Sequence, residues 1–201
     1  MLHSSDHKKM RFHCRVVSVY VLVVEKNSDF LQFPLAGFIM DDGSSSCCCW
    51  TDNETAVTLL GSREWSPHKR SKTSLHKSNK SHTMSRLSDI LNHHGTIVIK
   101  NHGSVSDSSC IDAAVSVDSN SVLKESDELL LKSLIHQACF SNSWNVVGSV
   151  LDSEGLNQIE EQLQRLDMMM LPLVNIWASE VSHIDALNEG RSILQELLKS
   201  D

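Results

Sequence analysis

The residues best suited to chemistry in this 201-residue chain are the consecutive Cys47, Cys48 and Cys49, the adjacent Asp41 and Asp42, the histidines His93, His94 and His102, and a basic run from Arg63 to Arg86. Thiolates and imidazoles would mean zinc. Successive side chains on a strand point to opposite faces, so only Cys47 and Cys49 act together, and two thiolates are half of a structural zinc site. No CxxC supplies the other half. Adjacent histidines diverge on any regular element, so His93 and His94 do not complete a site with His102. Asp41 and Asp42 precede Gly43, and turn chemistry accounts for them better than magnesium does. Serine is abundant, but Gly-x-Ser-x-Gly, a Walker loop and a dinucleotide fingerprint are all absent, and Cys110 near His102 is a chance proximity. The expectation is a chain with no catalytic residue, no metal and no cofactor.

The basic run is the best place for a nucleic acid. It holds seven basic residues against one acid, Glu64. Lys69, Arg70, Lys72, Lys77 and Lys80 can neutralise phosphates, which gives salt-dependent, sequence-independent binding. Only Trp65 lies nearby, so the aromatic platform on which single-stranded bases stack is thin. A solvated, disordered loop explains the same composition, and direct DNA binding is expected to be weak.

The elements that must position these groups are legible from periodicity. Phe12 to Glu25 is rich in Val and aromatics and reads as a long buried strand. After a loop containing Pro34, Leu35 to Met40 and Ser45 to Trp50 flank Asp41-Asp42-Gly43, a strong hairpin signal. Thr51 to Glu54 fits a capping box, with Thr51 as N-cap of a short helix carrying Ala56, Leu59 and Leu60. Met84 to His93 reads as a helix with Leu87, Ile90 and Leu91 inward, stopped by Gly95. Thr96 to Lys100 reads as a fourth strand, Ile111 to Val117 as a weak pairing segment, Lys124 to Phe140 as a helix, and Trp144 to Leu151 as a fifth strand. From Ser153, Leu156, Ile159, Leu163 and Leu166 follow at helical spacing until Pro172, and Leu173, Trp177, Val181, Ile184 and Leu187 continue at steps of three or four. The stripe Trp177, Ile184, Leu187, Leu194, Leu197 and Leu198, rimmed by Glu180, Asp185, Glu189 and Glu196, is a candidate partner interface. Loss of everything after Leu171 should then leave the strands folded.

Composition sets the remaining bounds. No apolar run reaches the roughly 18–20 residues of a membrane-spanning helix, so no membrane role is expected. Lys8, Lys9, Arg11 and Arg15 precede the Val16 to Val24 run, but no small-x-small cleavage site follows it. The six cysteines lack a disulfide spacing, which points to a reducing compartment, cytosol or nucleus. The formal charge of −7 divides unevenly: residues 1–86 carry net +4 and residues 87–201 net −11. The two halves should face different partners, or each other.

Three strands, a helical segment and two more strands are the strand economy of the five-stranded OB-fold barrel. The expected class is mainly β with α (α+β): residues 1–11 a flexible N-terminus, 12–152 the barrel with flexible insertions near 62–86 and 101–122, and 153–201 a C-terminal helical segment. The stretch Phe33-Pro34-Leu35-Ala36-Gly37-Phe38-Ile39-Met40-Asp41-Asp42-Gly43-Ser44-Ser45-Ser46-Cys47-Cys48-Cys49-Trp50, the Thr51 to Leu60 helix and the Trp144 to Leu151 strand resemble the C-terminal OB domain of plant-type largest subunits of the CST telomere complex. That resemblance implies a non-enzymatic scaffold, only the C-terminal piece of a longer protein. It would assemble with the medium and small subunits, support binding of single-stranded telomeric DNA through the complex, and help engage DNA polymerase α–primase. It also implies a nuclear location at chromosome telomeric regions. The alternative is a free-standing single-strand nucleic-acid binder acting through the basic loop.

Overall fold

The first strand, β1 (Met10–Asn27), begins with one wet face and has none along Val19 to Val24, before Glu25, Lys26 and Asn27 return to the surface. Arg11, His13 and Arg15 are exposed while Cys14 and Val16 are buried, whereas Val19 to Val24 are buried without a break. Such a run needs cover on both sides, and the fold supplies it. The computed structural model describes residues 9–27, 30–60, 80–101, 114–117, 122–140 and 143–184, with isolated positions near 190. The further elements are β2 (Phe30–Asp41), β3 (Ser46–Thr51), α1 (Asn53–Leu59), α2 (Lys80–His94), β4 (Ile97–Lys100), β5 (Ala114–Val117), α3 (Glu125–Phe140), β6 (Trp144–Val150), α4 (Ser153–Arg165) and β7 (Val174–His183). The protein is α+β, with seven strands in one sheet ordered β2-β3-β7-β6-β1-β4-β5.

β1 also pairs with β2, so β1, β2, β3, β7 and β6 form a closed circuit. Its first part, Met10 to Cys14, pairs with β6, and Arg15 to Asn27 pairs with β2. Three register shifts bend β1 between these partners, the usual way a strand turns a corner. Every pairing in the circuit is antiparallel except β3 with β7, which run parallel from Cys47 opposite Val174 to Thr51 opposite Ala178. β4 and β5 extend the sheet from the far edge of β1.

One cluster fills the inside of the circuit with residues from all five strands, including Cys14, Val16, Phe38, Met40, Cys49, Trp144, Val146 and Ala178. It continues onto Leu59 and Leu60 at α1, Leu87, Ile90 and Leu91 of α2, and Leu131 and Ile135 of α3. The hairpin joining β2 and β3 turns at Gly43, φ +89°, a backbone conformation glycine adopts without steric cost.

Several expectations need correction. β7 occupies the stretch predicted to be amphipathic helix, and it, not β4, is the fifth strand of the circuit. The physical reason is arithmetic: Leu173 and Trp177 are spaced by four, a multiple of the strand period and nearly one helical turn, while a bulge between Ala178 and Glu180 turns Val181 to the other face. Residues 153–201 are therefore not one helical segment. α4 ends at Arg165, followed by Asp167 at φ 55°, well before Pro172. The N-caps are Asp52 and Asp152, whose carboxylates accept from Thr55 N (3.0 Å) and Gly155 N (2.8 Å), because Thr51 is still in β3 and Ser153 is already helical. Pro34 lies inside β2 rather than in a loop, at a register shift against β1 between Gln32 and Leu35, where its missing N–H costs no ladder bond. α2 starts at Lys80, four residues earlier than read.

Two glycine substitutions separate packing from backbone strain. A methyl on Gly37 would lie 2.6 Å from the buried Trp50 ring, whereas one on Gly43 meets nothing within 4 Å. Gly37→Ala should cost about 1–3 kcal/mol by overpacking and Gly43→Ala about 1–2 kcal/mol by backbone strain alone, both read by urea denaturation. Truncation after Leu171 removes β7 and should abolish the cooperative transition, while truncation after Ile184 should retain it; a cooperative transition in the shorter form would show that the circuit does not need β7.

Candidate functional site

The Cys triplet lies on β3, and the two faces diverge as strand geometry requires. Cys49 is buried inside the circuit with Cys47 packed against that cluster, while Cys48 and Trp50 belong to a second cluster on the opposite face. Burial pushes the Cys47 thiol up to about 11 and, with help from Cys47 and Asp42, the Cys14 thiol up to about 12. Cys48 and Cys49 are raised further in the same direction by burial. Such thiols stay protonated at neutral pH, which makes them poor nucleophiles. Cys14 Sγ instead lies 3.5 Å from Met40 Sδ. No group of three His, Cys, Asp or Glu is gathered among the described residues. His94 is buried and His93 exposed, their rings edge to face at 4.7 Å.

At the hairpin, Asp42 Oδ1 accepts from Ser44 Oγ (2.7 Å), Ser44 N (2.8 Å) and Ser45 N (2.9 Å), and Asp41 Oδ1 accepts from Gly43 N (2.5 Å). The Ser44 hydroxyl and these backbone N–H groups hold the Asp42 carboxyl below its ordinary value. Arg15 stands 3.8 Å from Asp41. These carboxylates are spent on closing the turn.

Of the residues proposed for phosphate contact, Lys69, Arg70, Lys72 and Lys77 lie outside the described residues, and Lys80 is the first residue of α2. Of the proposed interface stripe, Leu187, Leu194, Leu197 and Leu198 also lie outside them. Ile184 closes β7, its N–H donating to Ser143 O at 3.1 Å. Trp177 is half-buried in β7 and packs on the second cluster, so it does not share a helical stripe with the leucines that follow.

Sequence reasoning missed the aromatic group that the fold assembles. Tyr20, Trp50 and Trp177 come from β1, β3 and β7 to the outer face of the circuit: Trp50 and Trp177 are register partners, and the Tyr20 and Trp50 rings meet edge on at 6.3 Å. Trp50 Nε1 donates to Asn175 Oδ1 at 2.9 Å. A search for stacking residues beside the basic run could find only Trp65; the signal for this group was the alternation of Cys48 and Trp50 against Cys47 and Cys49. Tyr20 and Trp50 are buried and Trp177 is half-buried. Ile159 and Leu163 of α4, with Met168, pack over them in one cluster with Val21, Val23, Leu35, Ile39 and Cys48.

Two outcomes follow for these side chains. Iodoacetamide at pH 7.5 should leave Cys14, Cys48 and Cys49 unmodified in the native protein and label Cys47 on the order of a hundredfold more slowly than a free thiol, as read by peptide mass mapping; labelling of Cys49 at the free-thiol rate would contradict this burial. Because the Asp42 carboxyl is lowered on folding, its stabilisation is present above the ordinary carboxylate value near pH 4 and lost as pH falls through the lower folded value. The stability difference between wild type and Asp42→Ala should therefore shrink only below about pH 4.

No protein-family model matches the chain. Over 210 aligned residues covering 98% of its length, it is 34% identical to the CST complex subunit CTC1 of Arabidopsis thaliana. The chain spans 16% of that relative's length. Identity at this level over 98% of the chain marks common descent: the chain belongs to the family of the CST complex subunit CTC1 and corresponds to one part of that relative.

Proposed function

We propose that this chain is a non-enzymatic scaffold module of a CST telomere complex, corresponding to the C-terminal OB-fold region of its largest subunit. The similarity to CTC1 over 98% of the chain carries this reading. Support comes also from the closed circuit of β1, β2, β3, β7 and β6 with a parallel β3–β7 contact, a connectivity suited to a five-stranded Greek-key barrel. The module assembles with the medium and small subunits in the nucleus, at chromosome telomeric regions. Single-stranded telomeric DNA and DNA polymerase α–primase are engaged by the assembled complex. Assembly runs through the end of the chain, Ile184, Leu187, Leu194, Leu197 and Leu198, with Trp177 left to the core.

The second reading, a free-standing single-strand binder acting through Lys69, Arg70, Lys72, Lys77 and Lys80, is disfavoured by one observation. The aromatic group that would stack bases is under α4.

Co-expression with the medium and small subunits tests the scaffold. Deletion of residues 185–201, which leaves β7 in place, should abolish co-purification without changing the far-ultraviolet spectrum of the strands; undiminished co-purification would refute the interface. Titration of a labelled oligothymidine across salt concentrations addresses the second reading. A steep slope that falls when the five basic residues become Ala would favour it, since each phosphate contact contributes about one unit of slope.

A further inference from the structure

The outer face of β1, β2 and β3 carries the makings of a stacking platform and is roofed by the chain itself. α4 lies across it with Gly155, Ile159 and Leu163 buried at steps of four, and the return segment to β7 continues the roof with Met168 buried and Leu166, Met170, Leu171 and Leu173 half-buried against the same cluster. A methyl on Gly155 would lie 2.8 Å from Leu151 Cδ2, the mobile end of a side chain that would turn aside. The roof is tethered at both its margins. The Lys100 ammonium from β4 donates to the Leu166 carbonyl at the C-terminus of α4, where a cation also complements the helix dipole, and the Tyr20 hydroxyl donates to the Met169 carbonyl. Asn175 ties the far side, accepting from Trp50 Nε1 and donating to the Leu173 carbonyl, each at 2.9 Å. The outward side of α4 exposes Glu154, Glu160 and Glu161 against Arg165, a surface that repels phosphate.

In an OB-fold barrel the strand face is where oligonucleotides lie, with bases on aromatic side chains. We propose that this barrel's strand face is a single-strand ligand face filled in cis: α4 and residues 166–173 occupy the place of the oligonucleotide, cover Tyr20 and Trp50, leave Trp177 half-buried, and close the face to DNA. The inference rests on the OB-fold reading above. It assigns the face's aromatic residues to holding the chain's own helix, so that nucleic acid bound by the assembled complex is held elsewhere.

Photocrosslinking of the full chain to a fifteen-residue oligothymidine carrying 5-iododeoxyuridine tests this, with mapping by mass spectrometry. In the wild type no crosslink should fall on Tyr20 or Trp50; a crosslink at either would overturn the proposal. The double variant Ile159→Asp with Leu163→Asp should lift the roof, so that crosslinks appear at Trp50 and the affinity rises about tenfold, the scale of one stacked base. A second variant, Lys100→Met with Tyr20→Phe, removes two tethers and little core volume, and gives the same readout if the first does not fold. Faster amide exchange in α4 without any gain of crosslinks would overturn the claim that a ligand face lies beneath. Nuclear Overhauser contacts between Cys49 and Ile176 report the circuit separately: their absence would refute the OB-fold reading itself, whereas crosslinks with those contacts intact would refute only the roof.

Discussion

The parallel contact of β3 with β7 is the constraint on which the rest of the structure depends. It joins residues 47–51 to residues 174–178, across the whole insertion that carries α1, α2, β4, β5, α3, β6 and α4. Closing so long a loop is entropically costly, though the cost grows only with the logarithm of length, so a well-packed contact offsets it. Trp50 supplies much of that packing. Its ring lies against Gly37 of β2, its indole N–H bonds Asn175 of β7, and its register partner is Trp177. Fully burying a side chain of this size stabilises the fold by roughly 3 kcal/mol or more.

Once the circuit is closed, each strand has an inside and an outside, and the two are covered by different means. The inside is filled by side chains from the five strands and stoppered by α1, α2 and α3. The outside of β1, β2 and β3 is covered by α4 and the segment that returns to β7. This explains why β1 changes character along its length: it alternates while its outer face is wet and becomes uniformly apolar where α4 lies over it. It also explains why the cysteines of β3 are chemically quiet. Each faces one of two dry layers, and burial raises every one of their thiols.

The division of charge along the chain acquires a place in the fold. The positive half contributes the first three strands and the basic run that follows α1, whereas the negative half contributes α3, α4 and β7. Arg86 of α2 bonds Asp127 of α3 at 2.8 Å, so the halves meet inside one domain rather than belonging to two. The outward carboxylates of α4 add to the negative side.

Local elements were written plainly in the sequence. The apolar run of β1, the Asp-Asp-Gly hairpin, the strands at Ile97 and Trp144 and the helices carrying Leu87 and Ile159 all depend on short-range period and turn chemistry, which neighbouring residues determine by themselves. Even the two faces of the Cys triplet follow from alternation. The sequence could not decide the fate of Leu173, Trp177 and Val181, because a spacing of four satisfies helix and strand alike. Nor could it bring Tyr20, Trp50 and Trp177 together, or reveal that α4 would cover them. Those outcomes belong to the tertiary structure, for the physical reason that an open strand edge at β3 and an apolar outer face at β1 and β2 leave unpaired backbone groups and exposed surface that only a distant part of the chain could satisfy.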